Sequence, residues 1–199
     1  MRSFLLLLVT ALLLINCKEA TAVKSEVGKA IVIDSVEVSK QDLILNQNEG
    51  KWYYKNQPYN GYSVKFHSNG TLAERLGFLN GKREGVARRW SENGVLRIES
   101  TYHQNKLVGV YRSWWENGVL AEESHYVNGL KDGEEKQWYA SGQLSKVRQL
   151  IAGKEEGLQK AWLPNGKLYV NYEAKNGRIF GMLRANSCYK LEDEIVIRS

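Results

Sequence analysis

Between residues 61 and 180 short runs with apolar positions at every second residue alternate with tight turns, and the whole pattern returns every 24 residues. In the unit that opens at Gly85, residues 86–90 (Val-Ala-Arg-Arg-Trp) are one β-compatible run. Residues 91–94 (Ser-Glu-Asn-Gly) follow as a turn ending in Asn-Gly, where positive φ costs little. Residues 95–103 form a second run. Its closing turn reads Asn80-Gly81-Lys82, Asn128-Gly129-Leu130 and Asn176-Gly177-Arg178 in other units. Each unit is therefore predicted to be two strands and two turns, and strands joined this closely are antiparallel neighbours.

Three markers hold the register without insertion. One is the glycine series Gly61, Gly85, Gly109, Gly133, Gly157 and Gly181, and the second is the aromatic series Phe66, Trp90, Trp114, Trp138 and Trp162. The third is the turn series containing Gly70, Gly94, Gly118, Gly142 and Gly166. A fixed period of this size is the signature of a repeat architecture. The predicted fold is all-β: an elongated antiparallel β-meander built from 24-residue two-strand repeats. Strand alternation places Val86, Arg88 and Trp90 on one parity of the first strand, and Leu96, Ile98 and Tyr102 on one parity of the second. One face is then aromatic and aliphatic and the other mostly solvated, with like residues stacked from unit to unit. Each such cross-strand pair contributes roughly 0.2–1 kcal/mol.

The ends differ from the array. Residues 1–16 read as a lipoprotein-type signal peptide: Arg2 precedes an uncharged, Leu-rich stretch at 4–15. As a helix that stretch spans roughly 18 Å, short of the ~30 Å hydrocarbon core. Leu14-Ile15-Asn16-Cys17 resembles a lipobox, with Cys17 as the lipidated residue, although Asn16 departs from the usual Gly or Ala. Ala20-Thr21-Ala22 is a competing cleavage site. With Cys17 lipidated, Cys188 is the one thiol left, and no internal disulfide is expected. Residues 17–29 read as a tether, 30–60 as N-terminal strands with a half-repeat cap, 61–180 as five full repeats and 181–199 as a C-terminal cap. In that cap, Ile195, Val196 and Ile197 are expected to close the sheet.

The unit G-x-x-x-x-W-x-x-N-G-x-L, followed by an aromatic and a second N-G, resembles the MORN-variant repeat of the YwqK-type antitoxin family. Gly85, Trp90, Asn93-Gly94, Leu96 and Tyr102 occupy that motif in one unit. In the next it is carried by Gly109, Trp114, Asn117-Gly118, Leu120, Tyr126 and Asn128-Gly129. The fourth unit departs at Ser141 and Leu150, and the fifth at Ala174. The resemblance implies an antiparallel repeat sheet and association with a protein partner or a membrane.

Composition adds little chemistry. The 6 Trp, 11 Tyr and 18 Gly against 2 Pro suit Gly-punctuated strands. A net charge of +6 arises from 28 basic and 22 acidic residues dispersed along the chain, so no nucleic-acid partner is expected. His67, His103 and His125 fall in different repeat phases, so no metal site or cofactor is expected, and no catalytic motif appears. The adjacent acids Glu134-Glu135 and Glu155-Glu156 read as solubilising charges at turn edges. Two columns are candidate sites. Phe66, Trp90, Trp114, Trp138 and Trp162 are a strip for packing or binding, with packing favoured; Arg88, Arg112, Lys136 and Lys160 are an anion-binding ladder. The function expected is a non-enzymatic, exported envelope protein acting as a protein-interaction scaffold, antitoxin- or immunity-like by resemblance. A lipid anchor would tie it to the outer membrane, facing the periplasm or the cell surface. Binding of cell-wall glycan through the aromatic strip is the alternative, and a membrane-surface adaptor the third reading.

Overall fold

The structure is a computed structural model and describes residues 32–182. The signal peptide, most of the tether, Cys17, Cys188 and the closing segment 195–197 lie outside the described residues. All described secondary structure belongs to one compact unit that begins at Ile33.

Its main element is an open, mostly antiparallel sheet of 15 strands that follows chain order from Glu37–Ser39 to Arg178–Met182. The long hairpins are Gly61–Phe66 with Leu72–Leu79, Gly85–Trp90 with Leu96–His103, Lys106–Trp114 with Leu120–Val127, Gly133–Trp138 with Leu144–Ile151, and Gly157–Trp162 with Leu168–Lys175. Glu37–Ser39 departs from the antiparallel rule and pairs in parallel with Gly61–Phe66. A parallel neighbour needs a long connection, and residues 40–60 supply it. Within that connection Ile44–Asn46, Lys51–Tyr54 and Gln57–Pro58 form a separate three-stranded sheet. The described residues contain no α-helix, only the 3-10 turn Lys40–Asp42.

Three features recur in every hairpin. Each repeat glycine stands opposite the same column of the second strand, large in four units and small in the fifth: Gly61 faces Phe78, Gly85 faces Tyr102, Gly109 faces Tyr126, Gly133 faces Leu150 and Gly157 faces Ala174. Two residues further on lies a row whose pairs are Ser63 with Leu76, Ala87 with Ser100, Tyr111 with Ser124, Glu135 with Arg148, and Gln159 with Tyr172. This row marks the buried face. Ser63, Leu76, Ala87, Ser100, Ser124, Glu135 and Gln159 are each at most 5% exposed. Finally, the register slips by one residue before each column aromatic, so that Trp90 stands opposite Leu96 and Trp114 opposite Leu120. These are β-bulges, repeated unit by unit.

The apolar core lies at the N-terminal end. Leu43, Tyr59, Leu76, Phe78 and Ala87 are buried there, with Val38, Trp52, Tyr54 and Tyr102 packed around them. Trp52 meets Phe78 edge-on at 6.1 Å, and Tyr59 lies 5.8 Å from the same ring.

Candidate functional site

The bulge decides where the aromatic column goes. Simple alternation puts Val86, Arg88 and Trp90 on one face. In the structure Val86 and Arg88 oppose Thr101 and Glu99 on the open face, with Val86 42% exposed, while Ala87 between them is buried. The one-residue slip ends that alternation before each column residue. Trp114 and Trp138 accordingly line a groove together with Ile98, Ser113, Glu122 and Gln137, which belong to the buried-face parity. The ladder and the strip are thus separated.

The turn glycines hold the ends of the hairpins. Gly70, Gly94, Gly118, Gly142 and Gly166 have φ between +77° and +87°, the left-handed region that L side chains rarely adopt. Around Gly94 and Gly118 a Cβ would meet nothing within 4 Å, so the backbone angle, and not space, requires glycine.

Consecutive units are stitched at this end through the carbonyls of the tryptophans. His67 Nε2 lies 2.9 Å from the Trp90 carbonyl, Arg97 Nε donates to Trp114 O at 2.7 Å, Trp115 Nε1 to Trp138 O at 2.9 Å, and the Tyr139 hydroxyl to Trp162 O at 2.8 Å. The tryptophan column therefore carries structure through its backbone, while its rings stay half-buried and Phe66 is 56% exposed. Around Trp114 and Trp138 the groove encloses about 510 Å³, and Arg97, Trp115, Tyr139 and Ser145 complete its wall.

The cationic ladder is mostly neutralised in place. Arg88 pairs with Glu99 and Arg112 with Glu123, both at 2.7 Å, and Lys136 pairs with Glu134 at 2.5 Å. Lys160 has no ion pair among the described residues. Exposed pairs of this kind contribute little individually.

Two sets of residues escaped the sequence reading. Asn60, Glu84, Asp132 and Glu156, each just before a repeat glycine, accept the backbone N–H of the second turn: Asn60 from Asn80, Glu84 from Gln104 at 3.0 Å, Asp132 from Ala152 at 2.9 Å, and Glu156 from Asn176 at 3.1 Å. The available signal was an acidic or amide residue before the glycine in four units, with Val108 breaking the column. Glu135 is the second correction. It is 1% exposed, not a solubilising charge, and is held by Lys131, by Arg148 at 2.7 Å and by Gln137 at 3.0 Å. Burial pushes its carboxyl pKa up, but the Lys131 and Arg148 hydrogen bonds outweigh that effect and leave it below the ordinary carboxylate value. Lys131, which also bonds Glu122 at 2.6 Å, is correspondingly raised: burial lowers it, and the two carboxylates overcome this. Among the described residues no three His, Cys, Asp or Glu side chains are placed to hold a metal ion.

An open repeat sheet with one solvated face and one groove of half-buried rings is the build of an interaction module. Three segments, residues 83–104, 107–128 and 131–149, match the family model of the MORN repeat variant. Each match begins two residues before a repeat glycine, and the hairpin geometry continues in phase before and after the matched span. The matches support a MORN-repeat protein, and such repeats are commonly protein- or membrane-binding modules without enzymatic activity. No curated protein shows significant similarity to the chain.

Proposed function

We propose that the protein is a non-enzymatic repeat scaffold that binds another protein at the cell envelope, antitoxin- or immunity-like, anchored through a lipidated Cys17. The observation that supports it is the groove around Trp114, Trp115, Trp138 and Tyr139. Trp and Tyr dominate the energetic centres of protein interfaces because they bury a large rigid surface and keep one polar handle. Here Trp115 and Tyr139 have already placed those handles on backbone carbonyls, which fixes the rings before any partner arrives. A photo-crosslinking residue at position 115 should capture a discrete protein partner in cells, and one at position 134, on the open face, should not. Equal capture at both positions would remove this reading.

Glycan binding is the second reading, favoured by Ser113, Gln137 and Ser145 interleaved with the flat rings of the same groove. Retention on peptidoglycan that is lost in Trp138→Ala, without protein crosslinks at position 115, would put it first.

A further inference from the structure

The internal repeats supply comparisons within one molecule, because the same sheet position recurs in every unit. At the position of Gln159 the other units carry Ser63, Ala87, Tyr111 and Glu135, and at the position of Lys146 they carry Glu74, Ile98, Glu122 and Val170. Only at the fourth-to-fifth unit junction does a lysine lie on the buried-face parity diagonal to a buried amide. Lys146 stands opposite Ala161, two residues from Gln159. Both border a pocket of about 250 Å³, with Arg148, Glu155, Lys160, Tyr169 and Tyr172 on its walls.

Gln159 is 2% exposed. Its Nε2 donates to the carbonyls of Gln149 at 2.9 Å and Gly157 at 3.2 Å, which fixes the amide, since the reverse orientation would set oxygen against two carbonyl oxygens. The Oε1 atom then has no hydrogen-bond partner. A buried acceptor of this kind is normally satisfied by water or by a ligand. Arg148 is engaged with Glu135 at 2.7 Å and the Glu155 carboxylate with the Tyr172 hydroxyl at 2.6 Å, while Lys160 has no ion pair among the described residues. Lys146 makes no ion pair or hydrogen bond among the described residues. The pocket therefore offers one unpartnered buried acceptor and two cations without an ion pair, of which Lys146 stands on the same parity as Gln159 and Lys160 on the other. Diagonal neighbours across a ladder lie roughly 7–8 Å apart, a gap that a compact group bearing both a donor and an anion can bridge.

We infer that this pocket binds an N-acyl α-amino carboxylate, the chemistry of a peptide's free C-terminus, with the carboxylate on the Lys146 ammonium and the amide N–H on Gln159 Oε1. An anion alone leaves Gln159 unsatisfied, and a neutral amide leaves Lys146 unsatisfied. The site is separate from the aromatic groove and stands without it. The test is titration of the full chain with N-acetylglycine, followed by calorimetry and by the side-chain amide resonance of Gln159. N-acetylglycine should bind and shift that resonance, N-acetylglycinamide and acetate should bind at least tenfold more weakly, and Lys146→Met should weaken binding at least tenfold. Trp138→Ala should leave it unchanged. A silent Gln159 resonance at millimolar N-acetylglycine, equal binding of acetate, or undiminished binding by Lys146→Met would each overturn the assignment.

Discussion

The first and fourth hairpins share a backbone but bury opposite chemistries. At the N-terminal end the buried row is Ser63 with Leu76, and Phe78 fills the position facing the repeat glycine, 1% exposed and touching two further rings. In the hairpin of residues 133–151 the same row is Glu135 with Arg148, and Leu150 stands where Phe78 did. Packing tightness differs in step. A Cβ on Gly61 would lie 2.5 Å from Val36 O, whereas one on Gly133 would meet nothing within 4 Å. Both glycines have positive φ, +137° and +96°. The repeat backbone therefore demands glycine throughout, while the demand for space is uneven: greatest at Gly61, smaller at Gly157, where a Cβ would lie 3.2 Å from Gln149 Cβ, and absent at Gly109 and Gly133. The comparison teaches that turns and ladders fix the sheet, and that its buried face is free to be a hydrophobic core at one end and a hydrogen-bonded ion cluster at the other.

The sharpest way to break the N-terminal side is Phe78→Ala. Removing a fully buried ring should cost about 3–5 kcal/mol, read as a shift of the urea midpoint, with no dependence on pH.

The matching break on the other side is Glu135→Leu. Deleting one partner of a buried pair costs about 3–5 kcal/mol when the remaining charges are sealed. Here Lys131 and Arg148 keep 23% and 30% side-chain exposure, so water partly recovers them and about 2–3 kcal/mol is expected. Adding Arg148→Met should restore part of that loss. The acid response separates the two regions. The folded-state pKa of Glu135 lies below its ordinary 4.5, so its contribution is present above that value and is lost as pH falls through the folded pKa. The stability gap between wild type and Glu135→Gln should therefore close as pH falls below 4.5, while the Phe78→Ala gap persists.

Trp114→Ala tests the middle of the array. A half-buried ring should cost about 2 kcal/mol, roughly half of a core truncation, because the carbonyl that bonds Arg97 remains in place. A loss as large as that of Phe78→Ala would move the core into the tryptophan column.

The smallest effect is expected on the open face. Arg88→Ala, which removes the exposed pair with Glu99, should change stability by less than about 0.5 kcal/mol and only at low salt.

Much of the scaffold is legible without coordinates. The 24-residue period, the Asn-Gly turns and the alternation in residues 96–102 each report local backbone preference, and local preference is what a sequence displays. The Gly85 to Tyr102 pairing could be anticipated in the same way, since both columns are visible at fixed spacing. Three things could not. The bulge before each tryptophan is a slip between two strands, so the face of Trp114 depends on its partner and not on its own neighbours. The burial of Glu135 depends on Arg148 arriving from the paired strand and on Lys131, four residues earlier, turning onto it, and no count of charge along the chain separates it from the exposed Glu134. The parallel strand Glu37–Ser39 depends on a connection that folds over the first hairpin. Sequence by itself determined the repeat, its turns and its antiparallel order, because those are set within a few residues. Tertiary structure alone decided which residues became core, ion cluster and groove, because burial is a property of what stands opposite.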